Sequence, residues 1–349
     1  MKLILVVDDN ISSLKQINVQ LDGTYNVMLA KSGAQALSMC AQKRPDLILL
    51  DIAMPEMDGF EFIRILKSYQ SFMKIPVVFL TSSRDAATEI KALESGANDF
   101  ITKPVEKSIL LHRIELHLRL NDYQLSLEQM VKNLEDSIIT SFSEMVEYRD
   151  RNTGGHILRT SKYAELIGLE LSDRQQFRRE LHDLDMIVRA APLHDIGKIG
   201  VSDLILLKPG PLDETEFAAM KLHTTIGSSL LRKVYARTPT QTYLKYAIMI
   251  AESHHERYDG NGYPYGLKGD GIPLCSRIMA VADVYDALVD NRVYRPAMGH
   301  DAAIKIILAG RGTHFDPVIV DAFKAVQERI RDAYGEQHIS EIDSVKSIG

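Results

Sequence analysis

The sequence predicts two domains joined by a long helix: an α/β domain built on a five-stranded parallel sheet, then an all-α domain. Three observations carry this. Residues 1 to about 120 alternate short apolar runs with amphipathic stretches. From about Glu106 to Tyr148, apolar residues recur at threes, fours and sevens with almost no turn chemistry. Beyond Arg149 helical patterns dominate and no alternating strand run is evident, while histidines and aspartates gather in non-repetitive contexts. A chain of 349 residues is too long for one ordinary core. The expected boundaries are 1–120 for the first domain, 121–148 for a helical linker and 149–349 for the second domain.

In the first domain, Leu3–Val7, Asn26–Ala30, Asp46–Leu50, Pro76–Leu80 and Asp99–Ile101 read as buried strands. Stretches such as Ala34–Gln42 and Glu61–Lys67 read as the helices between them, giving five βα units. Ligand sites in such sheets form beyond the carboxyl ends of the strands. Asp8 and Asp9 follow the first strand, Asp51 the third, Thr81 the fourth and Lys103 the fifth. One strand-end aspartate is usually an N-cap or a solvated acid, but three with a hydroxyl and a lysine at one edge point to a site. Clustered carboxylates repel unless a hard cation joins them, and Mg²⁺ with oxygen ligands fits. A carboxylate beside Mg²⁺ can then attack a phosphoryl group. Lys103 would balance the added charge and the Thr81 hydroxyl would hydrogen-bond a phosphoryl oxygen.

This pattern, DD…LLDIAMPEMDG…TS…KP, resembles the response-regulator receiver family across the whole first domain. The resemblance implies a flavodoxin-like (CheY-like) fold, with Asp51 as phosphoacceptor and Asp8, Asp9 and Asp51 around Mg²⁺. It implies a cis Lys103–Pro104 peptide, Phe100 as a switch aromatic alongside Thr81 and Lys103, and a sensor histidine kinase as partner.

The connector carries Leu110, Ile114, Leu118, Leu125, Met130, Leu134, Ile138 and Met145 with charges between them, so one long helix or two is expected. The apolar stripe could dock on its own domains or pair two chains. A parallel homodimer is favoured, because a coiled coil would carry a signal between domains. His112 and His117 read as solvated or packed residues.

In the second domain, Asp213–Glu216 is a capping-box start to a helix expected to carry His223 on its third turn. Tyr243–Ser253 reads as another helix, ending at His254-His255, and Ile278–Val289 as a third, carrying Asp283. His194-Asp195 sits in LHDIGKIG, and His156 lies further upstream. A borderline divalent metal takes imidazole and carboxylate ligands, and two adjacent metals call for a bridging carboxylate. Five histidines and two aspartates from separate elements therefore read as a hydrolytic two-metal centre. A single helical histidine is more often packed or solvated, and His182, His300, His314 and His338 stay in that class.

The segments HDIGKIG, KPGPLDETEFAAMKLH, HHERYDGNGYP and ADVYDAL together resemble the HD-GYP phosphodiesterase family from Glu147 to about Met298. The resemblance implies an all-α HD-type domain that hydrolyses cyclic di-GMP to pGpG, in some members onward to GMP. Carried over by position, His194, Asp195, His223, His254, His255 and Asp283 would be metal ligands, with Asp195 bridging. Lys198 would contact the scissile phosphate. Arg292 and Arg295 would hold substrate phosphates, the plainer reading being a solvated helix end. Gly262-Tyr263-Pro264 would shape the pocket and touch partner proteins, such as a diguanylate cyclase or an adaptor. One departure stands out: where many members read DPETGxH, this chain has Asn152, and an amide is a weak ligand. Two metals are therefore expected rather than three, with His156 a marginal ligand or a group behind the ligands. The donor set accepts Fe, Mn, Zn, Ni or Co, with Fe and Mn placed first.

Composition excludes other classes. The net charge of −6 gives no global pull toward nucleic acid or acidic membranes. Cys40 and Cys275 have neither metal-ligand spacing nor a catalytic Cys-His arrangement, which suits a reduced compartment. The apolar run at MKLILVVDD is too short for a signal peptide and no run approaches a membrane span, so a cytoplasmic location is expected. Two other functions compete with cyclic di-GMP hydrolysis: a phosphodiesterase for pGpG or another nucleotide, and a low-activity nucleotide-responsive regulator acting through protein partners.

Overall fold

The computed structural model describes residues 1–82, 90–92, 94–150, 155–290 and 297–335. It divides into two compact units, Met1–Lys132 and Asn133–Gly349. Among the described residues, no helix is long and apolar enough to cross a membrane.

In the first unit, strands β1 (Leu3–Val7), β2 (Asn26–Ala30), β3 (Leu47–Asp51), β4 (Val77–Thr81) and β5 (Asp99–Thr102) form one parallel sheet. Their order is β2-β1-β3-β4-β5. The three inner strands are buried along their whole length, as parallel strands covered on both faces must be. Successive side chains point to opposite faces. Leu5, Val7, Ile48, Leu50, Val77 and Phe79 thus pack on α2 (Gly33–Gln42) and α3 (Gly59–Ser68). Ile4, Val6, Leu47, Leu49, Val78 and Leu80 pack on α1 (Ile11–Leu21) and on the first turns of α4 (Lys107–Arg149), through Leu110, Ile114 and Leu118.

The connector is one helix of 43 residues. Its N-terminal turns belong to the sheet's core. Near its other end, Ile139 joins the core of the second unit and Val146 is buried.

The second unit is helical, and among its described residues the only β pairing is an isolated bridge between Arg311 and Phe315. Its centre is α11 (Leu274–Val289), whose Ile278, Met279, Val281, Ala282 and Tyr285 are all fully covered. Around it stand α5 (His156–Ser172), α6 (Leu184–Ala190), α9 (His223–Arg237), α10 (Tyr243–Ser253), α12 (His300–Ala309) and α13 (Pro317–Ala325). Shorter pieces are α7 (Asp203–Leu206), α8 (Glu214–Lys221) and the 3₁₀ turn Ile196–Gly200.

The helix that begins at the capping box is shorter than the sequence predicts. The capping box at Asp213 and Glu216 forms with both of its bonds, but its helix stops at Lys221 and does not carry His223. Side chains capture the carbonyls of the last turn: His223 Nδ1 donates to Met220 O at 2.8 Å and Thr224 Oγ1 to Lys221 O at 2.9 Å. Thr225 Oγ1 donates to Leu222 O at 3.0 Å. His223 therefore opens a new helix, α9, rather than riding on α8.

Candidate metal centre and phosphoacceptor site

In the second unit, the structure brings together every histidine and aspartate expected as a ligand. Two groups form: Asp195, His223, His254 and His255, and then His156, His194 and Asp283. Within each group the ligand atoms lie within 4.8 Å of one another. Asp195 joins them. Its Oδ1 faces His223 Nε2 at 3.3 Å and His254 Nε2 at 3.6 Å, while its Oδ2 faces His194 Nε2 at 3.5 Å.

The backbone fixes which nitrogen points inward. His194, His223 and His254 each place Nδ1 on a carbonyl, of Ala191 (3.0 Å), Met220 (2.8 Å) and Ile250 (2.9 Å). A carbonyl only accepts, so Nδ1 carries the hydrogen and Nε2 offers its lone pair. Those three Nε2 atoms and Asp195 Oδ1 are buried and have no hydrogen-bond partner. Buried acceptors without donors are rare in folded proteins, and a set of them gathered on the two oxygens of Asp195 fits divalent cations.

Charge tells the same story. Burial pushes the His194 imidazole down to about 4 and lowers His223, in both cases against the pull of Asp195. Burial, with His254 and His223 beside it, holds His255 well below the ordinary histidine value. Asp195 is held well below the carboxylate range: burial opposes ionisation, but Lys198 and the histidines outweigh it. Neutral imidazoles and an ionised carboxylate are the protonation states a metal requires.

His156, given a marginal place by the sequence, has its Nε2 inside the second group, 3.6 Å from Asp283 Oδ1. Its Nδ1 donates to Asp286 Oδ2 at 2.7 Å. Asp286 is in turn gripped by Arg159, Nε to Oδ1 at 2.8 Å and Nη2 to Oδ2 at 2.9 Å. Burial lowers His156, yet Asp286, Glu147 and Asp283 together raise it to about 9.

Lys198 lies between Asp150 Oδ2 at 2.6 Å and Asp195 Oδ2 at 2.7 Å. Burial works against its charge, but both aspartates hold it well above the usual lysine value. It faces a cavity of about 380 Å³ lined on the polar side by Asp150, Asp195, His223, His255, Tyr263 and Asp283, and on the apolar side by Val284, Ala287 and Leu288.

Tyr263 reaches this cavity because the glycine-rich turn is tied down. The buried Glu256 carboxylate accepts from the N–H of Tyr265 at 2.7 Å and of Leu267 at 3.0 Å. Gly262 runs so close to the preceding chain that a Cβ would meet Arg257 N at 2.2 Å. The Tyr263 ring then lies over His255, centroids 4.8 Å apart, and Tyr263–Pro264 is cis. Burial raises the Tyr263 phenol, so it remains a hydrogen-bond donor.

Gly197 does similar work beneath Lys198: a Cβ there would stand 1.9 Å from His223 O and 2.4 Å from Gly227 N. Gly197→Ala must push the 3₁₀ turn off α9, separating Asp195 and Lys198 from His223. The expected cost is on the order of 3 kcal/mol, read as a lowered melting temperature, together with weaker Mn²⁺ binding. An unchanged melt would contradict this packing.

Arg292, Arg295 and Asn152 lie outside the described residues. Sequence reasoning missed Asp150, Asp286 and Glu147. Glu147 is buried near the end of α4, its Oε1 3.4 Å from His156 Nε2 and without a hydrogen-bond partner, and burial pushes its carboxyl up to about 7.

In the first unit, Asp8, Asp9 and Asp51 form a third such group at the carboxyl edge of the sheet. Asp8 and Asp51 are buried and Asp9 is exposed. Lys103 Nζ bridges Asp8 Oδ2 at 2.8 Å and Asp51 Oδ2 at 3.0 Å. Ser13 Oγ and the Asn10 N–H also donate to Asp8. Burial raises the Asp51 carboxyl even against Lys103. Thr81 is buried at the end of β4, Phe100 packs partly covered against the core, and Lys103–Pro104 is cis.

Residues 4–115 match the response regulator receiver domain family, and residues 139–319 match the HD domain family. A "Probable cyclic di-GMP phosphodiesterase" of Vibrio cholerae is 41% identical over 94% of this chain and 78% of that protein. "Cyclic di-GMP phosphodiesterase response regulator RpfG" of Xanthomonas campestris is 37% identical over 95% of this chain and 90% of that protein. "3'3'-cGAMP-specific phosphodiesterase 3" of Vibrio cholerae is 39% identical over 57% of this chain and 40% of that protein.

Proposed function

The chain belongs to the HD-domain phosphodiesterase family, as a response regulator with a receiver domain ahead of the HD domain, and from this we propose that it hydrolyses cyclic di-GMP to pGpG under the control of phosphorylation at Asp51. One observation carries the reading: seven buried or half-buried ligand groups, Asp195 among them, gather in two sets, with the inward atoms of three histidines lacking any donor.

His194, Asp195, His223, His254, His255 and Asp283, with His156, would hold two divalent cations, Fe or Mn first and Zn, Ni or Co as alternatives. When bound, the cations would supply positive charge against the phosphoryl oxygens and acidify an attacking water. The chain does the rest. The Lys198 ammonium, kept charged by Asp150 and Asp195, faces the cavity and would bind a non-bridging phosphate oxygen, taking up charge that grows in the transition state. Tyr263 closes the cavity and offers its phenolic hydrogen, and Arg292 and Arg295 would hold the second phosphate. Val284, Ala287 and Leu288 give a guanine base an apolar wall.

In the receiver, Asp8, Asp9 and Asp51 would hold Mg²⁺ and a sensor histidine kinase would supply the phosphoryl donor. Lys103 already touches Asp51, and Thr81 and Phe100 would read the added group. On α4, exposed Leu127, Val131, Leu134 and Ile138 keep the three- and four-residue spacing of a coiled-coil seam, and exposed Met145 follows Ile138 by seven residues, which suits a homodimer. A diguanylate cyclase or adaptor remains the partner class proposed for the Gly262-Tyr263-Pro264 turn.

The test uses Mn²⁺-loaded full-length protein incubated with cyclic di-GMP, pGpG or 3'3'-cGAMP, with and without beryllofluoride, and the products separated. Conversion of cyclic di-GMP to pGpG, faster with beryllofluoride, is expected. Preference for pGpG or 3'3'-cGAMP would move the substrate, and binding without turnover of any of them would leave a nucleotide-responsive regulator.

A further inference from the structure

We propose that Glu147 is a further metal ligand of this centre, adding a carboxylate beside His156 at the edge of the group formed by His156, His194 and Asp283. This rests on the reading that the centre holds divalent ions. The side chain is 5% exposed, and its Oε1 has no hydrogen-bond partner. That oxygen lies 3.4 Å from His156 Nε2, and Asp283 Oδ1 lies 3.6 Å from the same nitrogen.

His156 Nδ1 is committed to Asp286, which Arg159 also holds. Only Nε2 is left to face two carboxylates. If it carries a hydrogen that points at Asp283, Glu147 Oε1 stays a buried acceptor with nothing to accept. If it carries none, Glu147 Oε1 faces a lone pair in a covered position, while Asp283 stands half-buried at the cavity. A divalent cation beside His156 Nε2 would give Glu147 Oε1 the partner it lacks, and imidazole with carboxylates is a donor set such ions take.

No other ligand shares this element. Glu147 stands on α4, the helix that packs Leu110, Ile114 and Leu118 under the receiver sheet. The remaining ligands come from α5, α9 and α11, from the two residues that follow α10, and from His194-Asp195 just ahead of the 3₁₀ turn Ile196–Gly200.

The experiment measures Mn²⁺ and Co²⁺ binding to chelator-stripped full-length protein by calorimetry and elemental analysis, for wild type, Glu147→Gln and Glu147→Asp. Wild type should bind two ions. Glu147→Gln should keep one affinity unchanged and lose at least about 100-fold at the other, with an altered Co²⁺ absorption band for that ion alone. Its metal-free melting temperature, measured alongside, should stay close to that of wild type, since a side chain of the same shape fills the position and Glu147 Oε1 makes no hydrogen bond there. Glu147→Asp, with the charge on a shorter arm, should fall between. Two ions bound by Glu147→Gln with wild-type affinity and spectrum would overturn the proposal. Should that variant not fold, equal affinities in Glu147→Asp and wild type would overturn it instead. Wild-type protein that binds no ion defeats the underlying two-metal reading, a result distinct from either.

Discussion

Asp195→Ala is expected to lose both bound ions and to reduce cyclic di-GMP hydrolysis below detection, whereas Lys198→Ala is expected to keep its ions. The difference lies in what each side chain touches. Asp195 reaches both groups, through Oδ1 to His223 and His254 and through Oδ2 to His194. Without it His223, His254 and His255 keep no carboxylate among them, and the two cations would face each other without the negative charge they share. Lys198 offers no lone pair; its ammonium touches Asp150 and Asp195 and faces the cavity. Its removal takes away one fixed positive charge from the phosphate, a loss of about 10²–10³ in kcat with metal content preserved. Elemental analysis beside turnover separates the two cases. Ions lost from Lys198→Ala, or retained by an active Asp195→Ala, would contradict these assignments.

The sequence carries the receiver almost completely, because a parallel sheet covered on both faces writes itself as continuous apolar runs ending in the residues of the site. Asp8, Asp51, Thr81 and Lys103 follow such runs, and the structure places them at one edge. The helical unit is legible differently. Its ligand types stand out, but its helix boundaries do not: nothing in the spacing of Glu214–His223 reveals that the His223, Thr224 and Thr225 side chains will take the last carbonyls of α8.

Least legible are groups whose role depends on burial. Glu147 sits in a run with Glu144, and Glu144 is exposed while Glu147 is covered. The available signal was its face: Ile139, Ser143, Val146 and Glu147 lie along one side of α4 and all are buried. The surroundings of His156 are hidden for a related reason. Its orientation comes from Asp286, 130 residues away, and no local pattern joins the two.

That long-range contact gives the second large effect. Asp286→Ala is expected to destabilise the helical unit by about 3–5 kcal/mol, lowering its melting temperature on the order of 10 °C. Asp286 is fully buried and accepts three hydrogen bonds, two from Arg159 and one from His156. Arg159 is itself 1% exposed and would be left with only part of its neutralising charge, from Asp290 at 2.7 Å. Breaking a buried ion pair from one side costs far more than replacing both partners with apolar groups of similar volume. The double variant Asp286→Ala, Arg159→Met removes the stranded arginine charge and should therefore recover part of the lost stability, less the cost of parting buried Asp290 from Arg159. It should not recover metal binding, because His156 Nδ1 still lacks its acceptor and the ring is free to turn; the ion nearest His156 should bind 10–100-fold more weakly, about the range for such supporting contacts. If the double variant melts as low as the single one, the cost lies in the cavity left by the carboxylate rather than in a stranded arginine charge, and the electrostatic account of this cluster fails.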